Sequence, residues 1–140
     1  MENYPLPLGA KSEFVKTISE SDVYLFAGIT GDLAPVHVNE NMMRKSVYGA
    51  RIVHGVLIVG MMSTTVTLVL QKAAPSAKIG VSLGFDRIRF LRPVFIGDTV
   101  TVTYEVSEII PEKWRSIGKA EAFNQDGDLV CAANHVMKWT

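Results

Sequence analysis

A chain of 140 residues, 48% of them hydrophobic, suffices for one domain with one core and is too short for two ordinary ones. Its 14 basic residues cancel its 14 acidic ones, which argues against a nucleic-acid binder or a polybasic membrane anchor, since both draw affinity from surplus positive charge. The single cysteine, Cys131, permits no internal disulfide and suits a reducing, cytoplasmic setting.

Taken in chain order, the opening "MENYPLPLGAKSEF" lacks a basic stretch followed by an apolar run, so no signal peptide is expected. "KSEFVKTISE" alternates Phe14, Lys16 and Ile18 against Val15 and Thr17 and suits a short strand. "SESDVYLFAGITG" reads as a helix capped by Ser19 or Ser21, with Asp22 in its first turn and Gly31 at its end. "GDLAPVHVNE" then reads as a loop stiffened by Pro35, and "ENMMRKSVYG" as a further short helix.

"RIVHGVLIVGMMSTTVTLVLQKAAP" is long enough for a helix and carries apolar residues on every face, the mark of a helix enclosed by other structure. Its most apolar part, Val56 to Leu70, falls short of the ~20 residues that span a bilayer. From Ile79 the texture changes. "IGVSLGFDRIRFLRPVF", "TVTVTYEVSEII", "WRSIGKAEAFN" and "LVCAANHVMKW" alternate with period two and are rich in β-branched and aromatic residues. "IGDT", "IIPEK" and "NQDGD" supply the turns between them. These elements predict an α+β domain over residues 1–140, in which a curved antiparallel sheet wraps a long central helix. Cys131, in the last strand, reads as a small core residue.

Three places in this frame carry chemistry. Asp32 and His37 sit five apart in one loop, where a turn has use for the aspartate and proline but none for the histidine. The apolar neighbours Leu33, Val36 and Val38 predict partial burial, and a carboxylate beside an imidazole is a general acid–base pair near neutral pH. His54-Gly55 opens the long helix, where first-turn N–H groups lack internal partners and a glycine admits a close approach. That is the recipe for an oxyanion hole, with His54 a neighbour of the cap, a second acid or base, or a substrate contact. Ser63, two turns on, either bonds its own helix or serves the site. Arg87, Arg89 and Arg92 crowd one strand, with Arg87 and Arg89 expected on one face; they are either solvated edge charges or a grip for phosphates.

Together these motifs make the chain resemble the MaoC-like (R)-specific enoyl-CoA hydratases of the hot-dog fold. Phe26, Thr30-Gly31-Asp32 and Pro35-Val36-His37 follow the order and spacing of that family's motif. "IVHGVL" matches its helix opening, and "FLRPVFIGDTV" its strand and turn. The resemblance spans Glu13 to Trp139. It implies that Asp32 and His37 activate the water that adds to a double bond, and that the Gly55 N–H holds a thioester oxygen. It implies too that Ser63 tunes activity. A homodimer, or a dimer of dimers, is implied, with an acyl-CoA or acyl-carrier-protein thioester along the interface and neither a metal nor a redox cofactor. Two positions depart from the motif: Ala34 stands where the family has asparagine, and Asn39 where it has an acid. A hot-dog thioesterase and a non-catalytic acyl-thioester-binding protein are the competing readings.

Overall fold

The computed structural model describes residues 4–140, so the first three residues of the segment read for a leader lie outside it. The chain runs β1 (Lys11–Thr17), α1 (Glu20–Thr30), α2 (Pro35–Val38), α3 (Glu40–Arg44), α4 (Gly55–Leu70), β2 (Gly80–Phe90), β3 (Thr99–Ile110), β4 (Arg115–Phe123) and β5 (Leu129–Trp139). The five strands form one antiparallel sheet in the order β1-β3-β4-β5-β2. β3, β4 and β5 are joined by successive hairpins, while β1 pairs with β3 at one edge and β2 with β5 at the other. β2 thus skips its neighbour in sequence. The expected α+β class, with a curved sheet around a central helix, is the architecture found.

Local chemistry accounts for the boundaries. Ser19 caps α1 by accepting the Asp22 N–H, and Asp22 returns the favour by accepting the Ser19 N–H; Ser21 does not cap. Gly31, left-handed at φ 80°, ends α1. The stretch 35–38, expected as loop, is a one-turn helix with Pro35 at its first position. Asn39 ends it and caps α3, its side chain accepting the Met42 N–H at 2.9 Å.

The long helix is not enclosed on all sides. Ile58, Met61, Met62, Thr65, Val66 and Val69 are buried at helical spacing against the sheet. Val56, Gly60, Ser63 and Thr67 form an open stripe on the opposite side. The pattern hid this stripe because the residues on it are small or apolar rather than charged. Beneath α4 lie alternate residues of the sheet, Val100, Val102, Tyr104 and Val106 on β3 and Ala133, His135, Met137 and Trp139 on β5. β4 contributes only small residues there, Ser116, Gly118, Ala120 and Ala122. Gly118 has to be small: a Cβ on it would fall 2.0 Å from the buried Tyr104 ring. Ser12 on β1 donates to the Thr65 carbonyl at 2.6 Å and ties the helix to the sheet edge.

β2 is irregular. Its register with β5 slips between Ser82 and Gly84 and again between Asp86 and Arg89, and Arg87 takes a left-handed backbone with φ 53°. The expected alternation of Arg87 and Arg89 is therefore broken at a bulge that period-two reasoning does not anticipate. No helix among the described residues is long and apolar enough to cross a membrane.

Candidate active site

The segment from Gly31 to His54 delivers the acid–base candidates. Asp32 follows the glycine that ends α1; its N–H donates to Thr30 Oγ1 at 3.2 Å, and its carboxylate accepts only a long bond from the Ala34 N–H, at 3.4 Å. Asp32 and Leu33 are exposed in the single chain, whereas Val36, His37 and Val38 are half-buried. The expected burial therefore holds for the imidazole end of the loop and not for the carboxylate end.

His37 Nδ1 lies 2.7 Å from the Ile52 carbonyl. A carbonyl only accepts, so Nδ1 carries a proton, and in the neutral ring Nε2 is the atom with the lone pair. His54 is 1% exposed. By the same reasoning its Nε2 donates to the Asp32 carbonyl at 2.9 Å, and its Nδ1 is buried with no partner among the described residues. Its ring stacks on His37 with centroids 3.8 Å apart and planes at 24°, and tilts against Phe26.

Ligand-capable atoms of Asp32, His37 and His54 lie within 4.8 Å of one another. Stacked imidazoles keep their lone pairs in nearly parallel planes rather than converging on the one point that a tetrahedral ion needs.

A cavity of about 350 Å³ opens beside His37 and the start of α4. His37, Tyr48, Gly55, Ile58, Phe90 and Arg92 are among its lining residues. Gly55 is the first residue of α4, where a backbone N–H has no intrahelical partner. Its backbone does not fall in the left-handed region that favours glycine. The Phe90 ring is what excludes a side chain, since a Cβ on Gly55 would lie 2.6 Å from a ring carbon.

The other expected residues are scattered. His54 and Asp32 do not line the cavity; His54 is buried, and its ring stacks on that of His37, which does line it. Ser63 lies on the open stripe of α4, away from the cavity lining. Of the three arginines only Arg92 reaches the cavity, 3.8 Å from Asp128. Arg87 sits in the bulge, and Arg89 donates to its own neighbour's carbonyl, that of Ile88. Neither is among the lining residues of this cavity. Asn39, in the place of the family's acid, is spent on capping α3, and Ala34 offers α2 no side-chain cap. Sequence reasoning missed Tyr48, Phe90 and Arg51; the only signal for Arg51 was its position at the head of "RIVHGVL".

A sheet wrapped on one helix, with an Asp/His loop facing that helix's amino end, defines the MaoC class of hot-dog domain. The MaoC like domain family matches residues 7–125, and the chain belongs to it. An (R)-specific enoyl-CoA hydratase of Rhodospirillum rubrum is 43% identical over 105 residues, covering 75% of this chain and 69% of the relative. A 3-hydroxybutyryl-CoA dehydratase of Methylorubrum extorquens is 39% identical over 111 residues, covering 79% and 67%. Among solved structures, an R-hydratase of Pseudomonas aeruginosa in unliganded form superimposes with a TM-score of 0.81 at 33% identity, covering 96% of this chain and 84% of that one.

Proposed function

We propose that the protein catalyses the reversible hydration of a trans-2-enoyl-CoA thioester to an (R)-3-hydroxyacyl-CoA. One observation carries the reading: the His37 imidazole and the amino end of α4 share one cavity, with the Asp32 carboxylate within 4.8 Å of the imidazole. Because His37 Nδ1 is protonated toward Ile52, Nε2 and the carboxylate are both acceptors. A water between them donates both hydrogens and turns a lone pair toward C3 of the alkene. As the C3–O bond forms, the water gives up one proton to the pair, the C2=C3 electrons shift toward the thioester, and the oxygen gains charge beside the Gly55 N–H. Delivery of a proton from the pair to C2 completes addition of H and OH. Acid–base groups of this kind are worth ~10²–10⁴-fold, and one oxyanion donor roughly 10²–10³-fold.

The measurement is loss of the conjugated absorbance of crotonyl-CoA, with free-thiol release run in parallel. Hydration without thiol supports the reading; thiol release in its place would assign a thioesterase. α4 speaks against the latter, because Gly55–Leu70 contains no carboxylate to serve thioester cleavage. Tight thioester binding without turnover would mark a non-catalytic binder.

The working unit in this reading is a pair of chains. The open stripe of α4, which holds Ser63, and the exposed Val81 and Leu83 on edge strand β2 support a second copy at that face. Arg92, at the cavity, suits the phosphates of CoA or of an acyl-carrier protein equally. A reducing cytoplasmic setting belongs to the same reading, supported by a lone buried Cys131 whose thiol burial pushes up to about 11.

A further inference from the structure

Arg51, at 8% exposure, is the one buried side chain among the arginines, lysines, aspartates and glutamates of the described residues. Its guanidinium has three partners on two helices. Nε donates to Glu40 Oε2 at 2.6 Å, Nη2 to Glu20 Oε1 at 2.6 Å, and Nη1 to the Tyr24 hydroxyl at 2.8 Å. Glu20 and Tyr24 are one turn apart on α1, and Glu40 opens α3. Those two helices bracket the stretch 31–39 that carries Asp32 and His37.

The residues after Arg51 grip the same stretch from the other side. The Ile52 N–H donates to the Val36 carbonyl at 3.0 Å, and the Ile52 carbonyl accepts His37 Nδ1 at 2.7 Å. The Val53 N–H donates to the Val94 carbonyl at 2.7 Å, anchoring the strip to the cavity wall. His54 Nε2 reaches the Asp32 carbonyl at 2.9 Å. The strip 51–54 therefore touches the His37 ring directly and Asp32 at its backbone carbonyl, and the guanidinium fixes the head of the strip to the helices on either side.

We propose that Arg51 is a positioning residue: by holding α1, α3 and the strip 51–54 on one rigid fork, it sets the separation of the Asp32 carboxylate from His37 Nε2. Its catalytic consequence rests on the hydratase reading above. The planar guanidinium suits the task because it presents several donors in fixed directions, where a lysine ammonium offers a single point charge on a flexible stem. Proton transfer is sensitive to such spacing, since a misplacement of ~1 Å costs on the order of 10²-fold.

The test compares Arg51→Lys, Arg51→Met and Glu20→Gln in the full chain. Three kinds of measurement are made: steady-state kinetics (kcat and KM) with crotonyl-CoA, the nitrogen NMR signals of the His37 ring, and the melting temperature. The expected kcat losses are on the order of 10-fold for Arg51→Lys and 10²-fold for Arg51→Met, with KM changed less than about threefold. The protonated Nδ1 signal of His37 should broaden in the same order as its bond to Ile52 loosens. Glu20→Gln takes the charge from one exposed anchor while leaving an amide oxygen that can still accept, so the same pattern is expected at smaller size. Folded Arg51→Lys and Glu20→Gln with wild-type kcat and unaltered His37 signals would overturn the proposal, as would a kcat loss matching only the unfolded fraction. If the wild-type protein hydrates no enoyl thioester the hydratase reading fails instead, and the His37 signals still decide the role of Arg51.

Discussion

His37 and His135 receive opposite treatment from the same fold. His135 is fully buried under α4, with Nδ1 3.0 Å from the Tyr104 hydroxyl and Nε2 2.8 Å from Ser82 Oγ, so both nitrogens are engaged by neutral partners. Burial pushes its pKa down to about 4. His37 is half-buried, uses one nitrogen to fix its tautomer, and leaves the other at the edge of a cavity. A histidine whose two nitrogens are both spent is a structural linker between strands. One with a free nitrogen at a cavity suits the acid–base role proposed for His37. The difference lies in what each ring leaves unbonded, more than in how deeply it sits.

The largest expected effect on this contrast comes from exchanging roles. Asp32→Asn and His37→Ala should each lower kcat by ~10²–10⁴-fold while the melting temperature stays near that of the wild type. His135→Gln should do the reverse, losing stability while the folded fraction keeps its kcat. Equal activity losses at the two histidines would erase the distinction.

Acid should expose it next. The folded-state pKa of His135 is about 4 against 6.5 for the free side chain, so between those values the unfolded chain binds a proton that the native one refuses. Stability from this group is whole above about pH 6.5 and falls as the pH drops toward 4, by about 3 kcal/mol. Urea midpoints across that window should show the slope in the wild type and lose most of it in His135→Gln.

Gly118→Ala comes third. Its new methyl group would strike the Tyr104 ring, which is buried and has nowhere to swing, so a loss of roughly 1–3 kcal/mol is expected with little change in KM. The smallest effect belongs to Ser82→Ala, which removes one hydroxyl from His135 and should cost about 1 kcal/mol in thermal or urea unfolding.

Much of this was legible in the residues, and the failures have physical causes. Period-two alternation located β3, β4 and β5 because a sheet with one face on a helix must alternate. The same rule failed on β2, where two register shifts separate pattern from direction, so the expected shared face of Arg87 and Arg89 is broken while Arg92 lines the cavity. The Asp32–His37 spacing pointed to a working pair, but the stacking of His54 on His37 depends on the fold bringing position 54 beside position 37. Nothing in the spacing of Glu20, Tyr24, Glu40 and Arg51 announces that they meet; such long-range polar clusters leave no period in a sequence. The open side of α4 was hidden for the opposite reason, since a surface awaiting a partner is written in the same apolar letters as a core.

The irregularity of β2 has one more consequence. An edge strand invites strangers to add to the ladder without limit, which is how soluble proteins become fibres. With its regular pairing interrupted twice in eleven residues, β2 offers only short runs of straight backbone to an incoming chain. The kinks that scatter its arginines also act as a stop against open-ended growth.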